Sequence, residues 1–268
     1  MVDLAFYGVA CFKIITQEGV TIWIDPYVTQ SKCSPIKLSD VDQADIVLVS
    51  HSSFDHIGEN SDGTFDAFEI VKKTGAVLIG PGDVGAMARN NGIQAEQVRT
   101  AGVFMGSIAV KGVKIKGIEA HHTQNLARTR SGYVMGVAQG FLLTVENNIR
   151  IYHSGDTCTF PDLRYFGELS RPNIMMLEAG SANRDSAVTT PFEVATAVRW
   201  VGPDIFIPIH DPNHYFTDKV AEYVEVAAPH VKVVLMDPGD AIRYRPFQVE
   251  RIRLGASSKG HSQIEGLR

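Results

Sequence analysis

The strongest constraint in this chain is a compact apolar run, Ala44-Asp45-Ile46-Val47-Leu48-Val49-Ser50, that stops abruptly in the polar cluster His51-Ser52-Ser53-Phe54-Asp55-His56. A run of this kind reads as a strand buried on both faces, which ties the chain to a layered fold with material packed above and below that strand. The pattern recurs. His121 and His122 follow an apolar strand over 113–118, Asp156 follows one over 149–153, and His210 follows one over 205–209.

The remaining periodicities supply the layers. Short β-rich runs at 4–7, 11–16 and 20–25, punctuated by Gly8 and Glu18-Gly19, predict an antiparallel meander. Helical spacing predicts helices over 65–73, 83–90, 191–201 and 215–228, with Pro191 suited to a first helical turn. Further strands are expected at 76–80, 107–110, 141–145 and 231–236. Strands followed by helix–strand alternation, twice over, suit an α/β (α+β) architecture of two facing sheets with helices outside, a four-layer αββα sandwich. No linker or repeat divides the chain, so one domain is expected over 1–250. The small, polar segment Gly255-Ala256-Ser257-Ser258-Lys259-Gly260-His261 places a C-terminal tail at 251–268.

Composition narrows the function classes. With 25 Lys+Arg against 30 Asp+Glu and a mean hydropathy of −0.01, the chain has an ordinary globular balance and lacks the basic footprint of a dedicated nucleic-acid binder. No apolar run reaches the roughly 18 residues of a membrane span. Cys11, Cys33 and Cys158 are odd in number and widely spaced, which fits a reducing compartment. No basic segment leads into an apolar core at the N-terminus. The expectation is a cytoplasmic protein with no membrane association.

Four strand ends that carry imidazoles and carboxylates make a metal site the leading reading, because this is the ligand set of zinc, manganese and iron hydrolytic centres. The same residues resemble a known family. Ser50-His51-x-Ser53-x-Asp55-His56-Ile57-Gly58, Tyr152-His153-Ser154-Gly155-Asp156-Thr157 and Ile207-Pro208-Ile209-His210 are similar to the motifs of metallo-β-lactamase-fold hydrolases. With Gly8-Val9-Ala10-Cys11-Phe12, Ile24-Asp25-Pro26 and Pro238-Gly239-Asp240, they resemble the branch that includes ascorbate-6-phosphate lactonase.

The resemblance implies one or two divalent ions, zinc or manganese. Site one would take His51 and a histidine of Ala120-His121-His122-Thr123, with His122 preferred over His121; site two would take Asp55, His56 and His210; Asp156 would bridge them. An ion lowers the pKa of the water it holds from about 15.7 to about 7, and the hydroxide attacks a carbonyl carbon or a phosphorus. Asp55 would also orient that hydroxide. A (phospho)sugar lactone is the expected substrate; a phosphodiesterase or nuclease of the same fold, and a non-catalytic metal-binding protein, are the alternatives. Family resemblance also makes a homo-oligomer plausible.

Two positions depart from the family pattern: Ser53 stands where the signature His-x-His-x-Asp-His has its second histidine, and Val9 stands where relatives often carry histidine. Serine is a poor substitute for an imidazole ligand, so weaker binding at site one is expected. Around the motifs, His214 is a candidate substrate contact and His153 either a core residue or the support of a ligand. Asn125, Arg128 and Arg130 lie in an aperiodic loop as a possible phosphate site, with a solvated basic loop the equal reading. Cys158 reads as a small buried residue, and His230 and His261 read as surface residues.

Overall fold

Alternation along the central strands decides the layering. The computed structural model describes residues 1–253 except 104–105, 124–125, 130–131, 181–188, 212–213 and 247, with backbone alone for 126–129. Strands β1 (Val2–Phe6), β2 (Phe12–Thr16) and β3 (Thr21–Ile24) form the meander. They are followed by β4 (Ile46–Leu48), the single-turn helix α1 (Phe54–Ile57), α2 (Asp66–Thr74), β5 (Val77–Gly80), α3 (Gly82–Asn90) and β6 (Val98–Thr100). Then come β7 (Ile108–Val110), β8 (Val113–Glu119), β9 (Leu126–Thr129), β10 (Gly132–Met135), β11 (Gln139–Thr144), β12 (Arg150–His153) and α4 (Asp162–Ser170). The chain continues through β13 (Ile174–Glu178), α5 (Pro191–Val201), β14 (Ile205–Ile209), α6 (Thr217–Ala227), β15 (Lys232–Val233), β16 (Ala241–Arg245) and β17 (Gln248–Ile252).

One sheet has the order β17-β16-β1-β2-β3-β4-β5-β6 and the other β15-β14-β13-β12-β11-β8-β7, while β9 and β10 pair as a separate hairpin. Ile22, Ile24, Ile46 and Leu48 from the first sheet share a core with Ile151, Ile174, Met176, Ile205 and Ile207 from the second. The alternate residues face outward. Trp23, Val47 and Leu78 pack with Phe68, Val71 and Val84 of the α2–α3 layer, and Tyr152, Met175 and Phe206 pack with Leu163, Val198 and Val220 of the α4–α6 layer. Strands covered on both faces have no polar parity, which is why the sequence shows continuous apolar runs there. This is the αββα sandwich.

Strand direction then positions the site. β3 to β6 run parallel, as do β12 to β15. β8 and β12 are both antiparallel to β11 and so point the same way. The residues after β3, β4, β8, β12, β13 and β14 therefore emerge along one edge. Gln139 N donates to Ser50 O (3.2 Å), and His210 N donates to Val9 O (2.8 Å), tying the sheets together there.

Local signals set the clearest boundaries. α5 opens on a reciprocal cap in which Thr190 Oγ1 accepts from Glu193 N and Glu193 accepts from Thr190 N, with Pro191 first in the helix and Gly202 closing it at φ 61°. Elsewhere the structure corrects the expectation. The segment 231–236 pairs only at Lys232 and Val233, although Val234 and Met236 still fill the core, because burial and not pairing is what that apolar run encodes. The aperiodic loop after His122 contains the β9–β10 hairpin, where Arg128 lies in β9; its side chain, Asn125 and Arg130 lie outside the described residues. β17 carries the sheet to Ile252, two residues into the expected tail, and His261 with the rest of the tail from 254 lies outside the described residues.

Candidate metal centre

Each arm of the site is a residue that follows a buried strand. Beyond β4 come His51 and then α1, whose N-cap is Ser53 and whose first residues carry Asp55 and His56. β8 leads to His122, β12 to Asp156 and β14 to His210. Asp156 can reach this point because Gly155 adopts φ 58°, and a Cβ there would lie 2.7 Å from Ser50 Cβ and 2.9 Å from Gln139 O.

Asp156 is the hub. Its Oδ1 lies 3.0 Å from His56 Nε2; its Oδ2 lies 3.5 Å from His210 Nε2, 3.7 Å from His122 Nε2 and 3.9 Å from His51 Nε2. Asp55 Oδ2 is 3.3 Å from His210 Nε2. Ligand atoms of His51, His56 and Asp156 lie within 4.8 Å of one another, as do those of Asp55, His56 and His210, and those of Asp156, Glu178 and His210. Thus His51, Asp55, His56, His122, Asp156 and His210 converge.

Several of these atoms are shielded from water yet lack a well-formed hydrogen bond among the described residues: His51 Nε2, His56 Nε2, Asp156 Oδ1, both His210 ring nitrogens and Glu178 Oε1. Such orphans are costly when nothing satisfies them. Buried imidazole nitrogens and carboxylate oxygens that converge on one another in ion-pair contact are what a divalent cation satisfies together, so the residues present fit the ion that the resemblance implies.

Behind the ligand set lies a support that aims it. Asp25, fully buried, accepts from Ser50 N (2.7 Å), Ser50 Oγ (2.7 Å) and His56 Nδ1 (2.8 Å). The bond at Nδ1 leaves His56 Nε2 facing Asp156, the arrangement in which an outer carboxylate orients a ligand imidazole. Ser50 Oγ also sits 3.0 Å from His51 Nδ1. His153 is a core residue: its Nε2 donates to Ala10 O (3.0 Å), and its Nδ1 accepts from Gly155 N (3.1 Å), holding the Asp156 turn.

The electrostatics follow from this crowding. Burial, and then the charge of His56, pushes His51 down to about 3. Burial also lowers His122. Burial opposes charge on His56 and His210, but neighbouring carboxylates outweigh it: Asp156 and Asp25 hold His56 well above its ordinary value, and Asp156 with Asp55 lifts His210 to about 9. Asp55 and Asp156, despite burial, are held far below the carboxylate range by His56 and His210. Both shifts favour the protonated rings in the metal-free protein, so an ion bound at these nitrogens would compete with protons.

The remaining candidates are placed plainly. His121 turns away, with Nε2 3.0 Å from Glu119 Oε1 and its ring stacked on Phe160. His214 Nε2 faces Asp237 Oδ1 at 2.9 Å, outside the cluster. Ser53 Oγ donates to Asp55 Oδ1 (2.9 Å), so the residue in the histidine's place fixes the Asp55 carboxylate. Cys158 is only half-buried and in none of the converging groups, and His230 is exposed. Sequence reasoning missed Asp25 as a site residue, Ser50 and Glu178. Asp25 and Glu178 each follow a buried apolar strand, the signal that found the others.

A model of the β-lactamase superfamily domain matches residues 3–210. A UPF0173 metal-dependent hydrolase of Methanobrevibacter smithii is 30% identical over 254 residues, covering 91% of this chain and 98% of that protein. One from Rubrobacter xylanophilus is 30% identical over 245 residues, covering 89% and 95%. Among solved structures, a metallo hydrolase from Ignicoccus hospitalis superposes with a TM-score of 0.73 at 25% identity, over 91% of this chain and 99% of that one. The isothiocyanate hydrolase from Delia radicum gut bacteria shares the fold at 16% identity, with a TM-score of 0.66 and coverage of 90% and 98%. Motifs, layers and a converging ligand set agree with these likenesses: the chain belongs to the UPF0173 metal-dependent hydrolases, within the β-lactamase superfamily.

Proposed function

We propose that the chain hydrolyses a small-molecule ester, a (phospho)sugar lactone, at a two-ion centre held by His51, Asp55, His56, His122, Asp156 and His210. The observation that carries the metal-dependent reading is the convergence of buried imidazole nitrogens on the Asp156 carboxylate. The lactone preference is supported by the resemblance of the Asp55-His56, Asp156 and His210 motifs to the lactonase branch. When bound, the ions supply activated water and a Lewis acid for the developing oxyanion.

The protein's own residues do the rest. Asp156 stands between the two groups of histidines and holds them in register. Asp55, pinned by Ser53, keeps one oxygen turned to His210 and into the site. Asp25 and Ser50 hold the rings of His56 and His51 from behind. Asp55, His122 and His210 have side chains less than a fifth exposed, so only a small part of each meets solvent.

The test is metal analysis of protein purified without chelators, followed by a panel of lactones and phosphodiesters. About two ions per chain and chelator-sensitive lactone turnover are expected. Asp156→Asn should lose turnover by more than the roughly 10–100-fold that removing an outer partner costs. Phosphodiester turnover without lactone turnover would reassign the substrate. No chelator-sensitive turnover on any member would leave a non-catalytic metal-binding protein.

A further inference from the structure

We propose that Glu178 is an additional ligand of the ion held by Asp55, His56, His210 and Asp156, and that it biases this position toward an oxygen-preferring cation, Mn²⁺. This rests on the metal-centre reading above and extends it to a residue that neither the sequence motifs nor the family signature includes.

The geometry begins with the sheet. Glu178 ends β13, between β12, which delivers Asp156, and β14, which delivers His210; in the register Glu178 lies opposite Ile209, the residue before His210. Its backbone N donates to Ser154 Oγ (3.2 Å), and its Oε2 accepts from Thr157 N (2.8 Å), fixing the carboxylate against the Asp156 turn. Glu178 is fully buried, and among the described residues Oε1 has no hydrogen-bond partner. That carboxylate offers an oxygen within 4.8 Å of ligand atoms of both Asp156 and His210.

A wholly buried carboxylate with one orphan oxygen is a poor structural element, since an apolar side chain would fill the space without the desolvation penalty. A cation between Glu178, Asp156 and His210 removes that penalty. With Glu178 included, the position has three carboxylates and two imidazoles, whereas the other position has two imidazoles and the shared Asp156. Carboxylate-rich sets suit Mn²⁺, and imidazole-rich sets suit Zn²⁺. The two positions therefore differ in metal preference, and Glu178 is the residue that makes the difference.

The experiment compares metal-stripped wild-type protein with Glu178→Gln, a substitution that preserves an oxygen to accept from Thr157 N. Mn²⁺ binding is followed by the electron paramagnetic resonance signal of the free ion, and Zn²⁺ binding by competition with a chromophoric chelator. Thermal unfolding of the metal-free proteins checks the fold. Glu178→Gln should weaken Mn²⁺ at one position by at least about tenfold and weaken Zn²⁺ less, so that the preference for zinc widens. Unchanged Mn²⁺ binding, or an equal loss of both metals, overturns the proposal while leaving the centre in place. A wild-type protein that binds neither metal overturns the centre and this proposal together. If Glu178→Gln does not fold, Glu178→Asp, which keeps the charge but retracts the carboxylate, is held to the same criterion.

Discussion

Two carboxylates lie wholly buried at the metal centre, Asp25 from one sheet against His56 and Glu178 from the other near His210, and their surroundings are opposite. Asp25, after β3, accepts three hydrogen bonds, from Ser50 N, Ser50 Oγ and His56 Nδ1. Burial alone would raise its pKa, but the His56 charge and these donors hold it below the ordinary value. Glu178, the last residue of β13, accepts one bond among the described residues, from Thr157 N. Burial, with the Asp156 charge added to it, pushes Glu178 up to about 8. Equal burial thus gives opposite shifts, because the neighbouring charges and donors decide and not the depth. Asp25 is fully committed to aiming His56 and Ser50, whereas Glu178 has an oxygen to offer.

The largest expected effect breaks the satisfied member. Asp25→Ala leaves Ser50 N and His56 Nδ1 buried without their acceptor, and removing one partner of a buried pair costs roughly 3–5 kcal/mol. Urea unfolding of the metal-free protein measures it. Because the folded pKa of Asp25 is depressed, its stabilisation is present above the ordinary carboxylate value and is lost as pH falls through the folded one. A loss below about 1 kcal/mol near neutral pH would mean that Asp25 holds nothing in place.

The unsatisfied member should give the opposite sign. Glu178 has a raised folded pKa, so the folded chain keeps a proton that the unfolded chain releases above 4.5. Its penalty therefore builds as pH rises from 4.5 to about 8 and is flat beyond. Glu178→Gln, which carries no charge, should stabilise the metal-free protein by on the order of a few kcal/mol above that window, with the gain vanishing below it. Thermal midpoints across this pH range decide the matter; a gain independent of pH would mean that Glu178 is not a buried charge problem in the free protein.

This comparison also shows what the sequence could reveal. The arms at His51, Asp156 and His210 were legible because each follows a strand whose two faces are both apolar, and such strands stand out. The run Ile174-Met175-Met176-Leu177 before Glu178 carries the same signal, with Ile174 and Met176 inward and Met175 and Leu177 outward. A glutamate after four apolar residues nevertheless looks like any residue where a strand meets solvent. Asp25 was visible only inside Ile24-Asp25-Pro26, since its partners Ser50 and His56 lie 25 and 31 positions away. The choice between His121 and His122 is set by a coil that His121 N anchors to Thr157 Oγ1, and Cys158 N to His121 O. Periodicity reads the neighbours along one strand; those contacts join separate elements, so spacing left both histidines open. The boundaries of α5, by contrast, depend on Thr190, Pro191, Glu193 and Gly202, all local, and these were readable to the residue.

The smallest expected effect tests whether Asp25 and Glu178 are ends of one scale. Ser50 Oγ donates to Asp25 Oδ2 and sits beside His51 Nδ1 and His56 Nδ1. Ser50→Ala removes one of the three donors to Asp25 and moves that carboxylate a step toward the condition of Glu178. Loss of a single hydrogen bond to a charged group costs about 1.5–3 kcal/mol, and Ser50 N still donates, so the lower end is expected. His51 also loses the hydroxyl that holds its ring. Its ion should then bind up to roughly 10–100-fold more weakly, while the ion held by Asp55 and His210 is affected less. Metal titration of Ser50→Ala beside urea unfolding separates the two consequences. Weakening confined to the His51 position, with a stability loss smaller than that of Asp25→Ala, would show that the charge of a buried carboxylate here is graded by its donors one bond at a time. Equal weakening at both positions would show instead that Ser50, Asp25 and the two histidines form a single unit whose support cannot be divided.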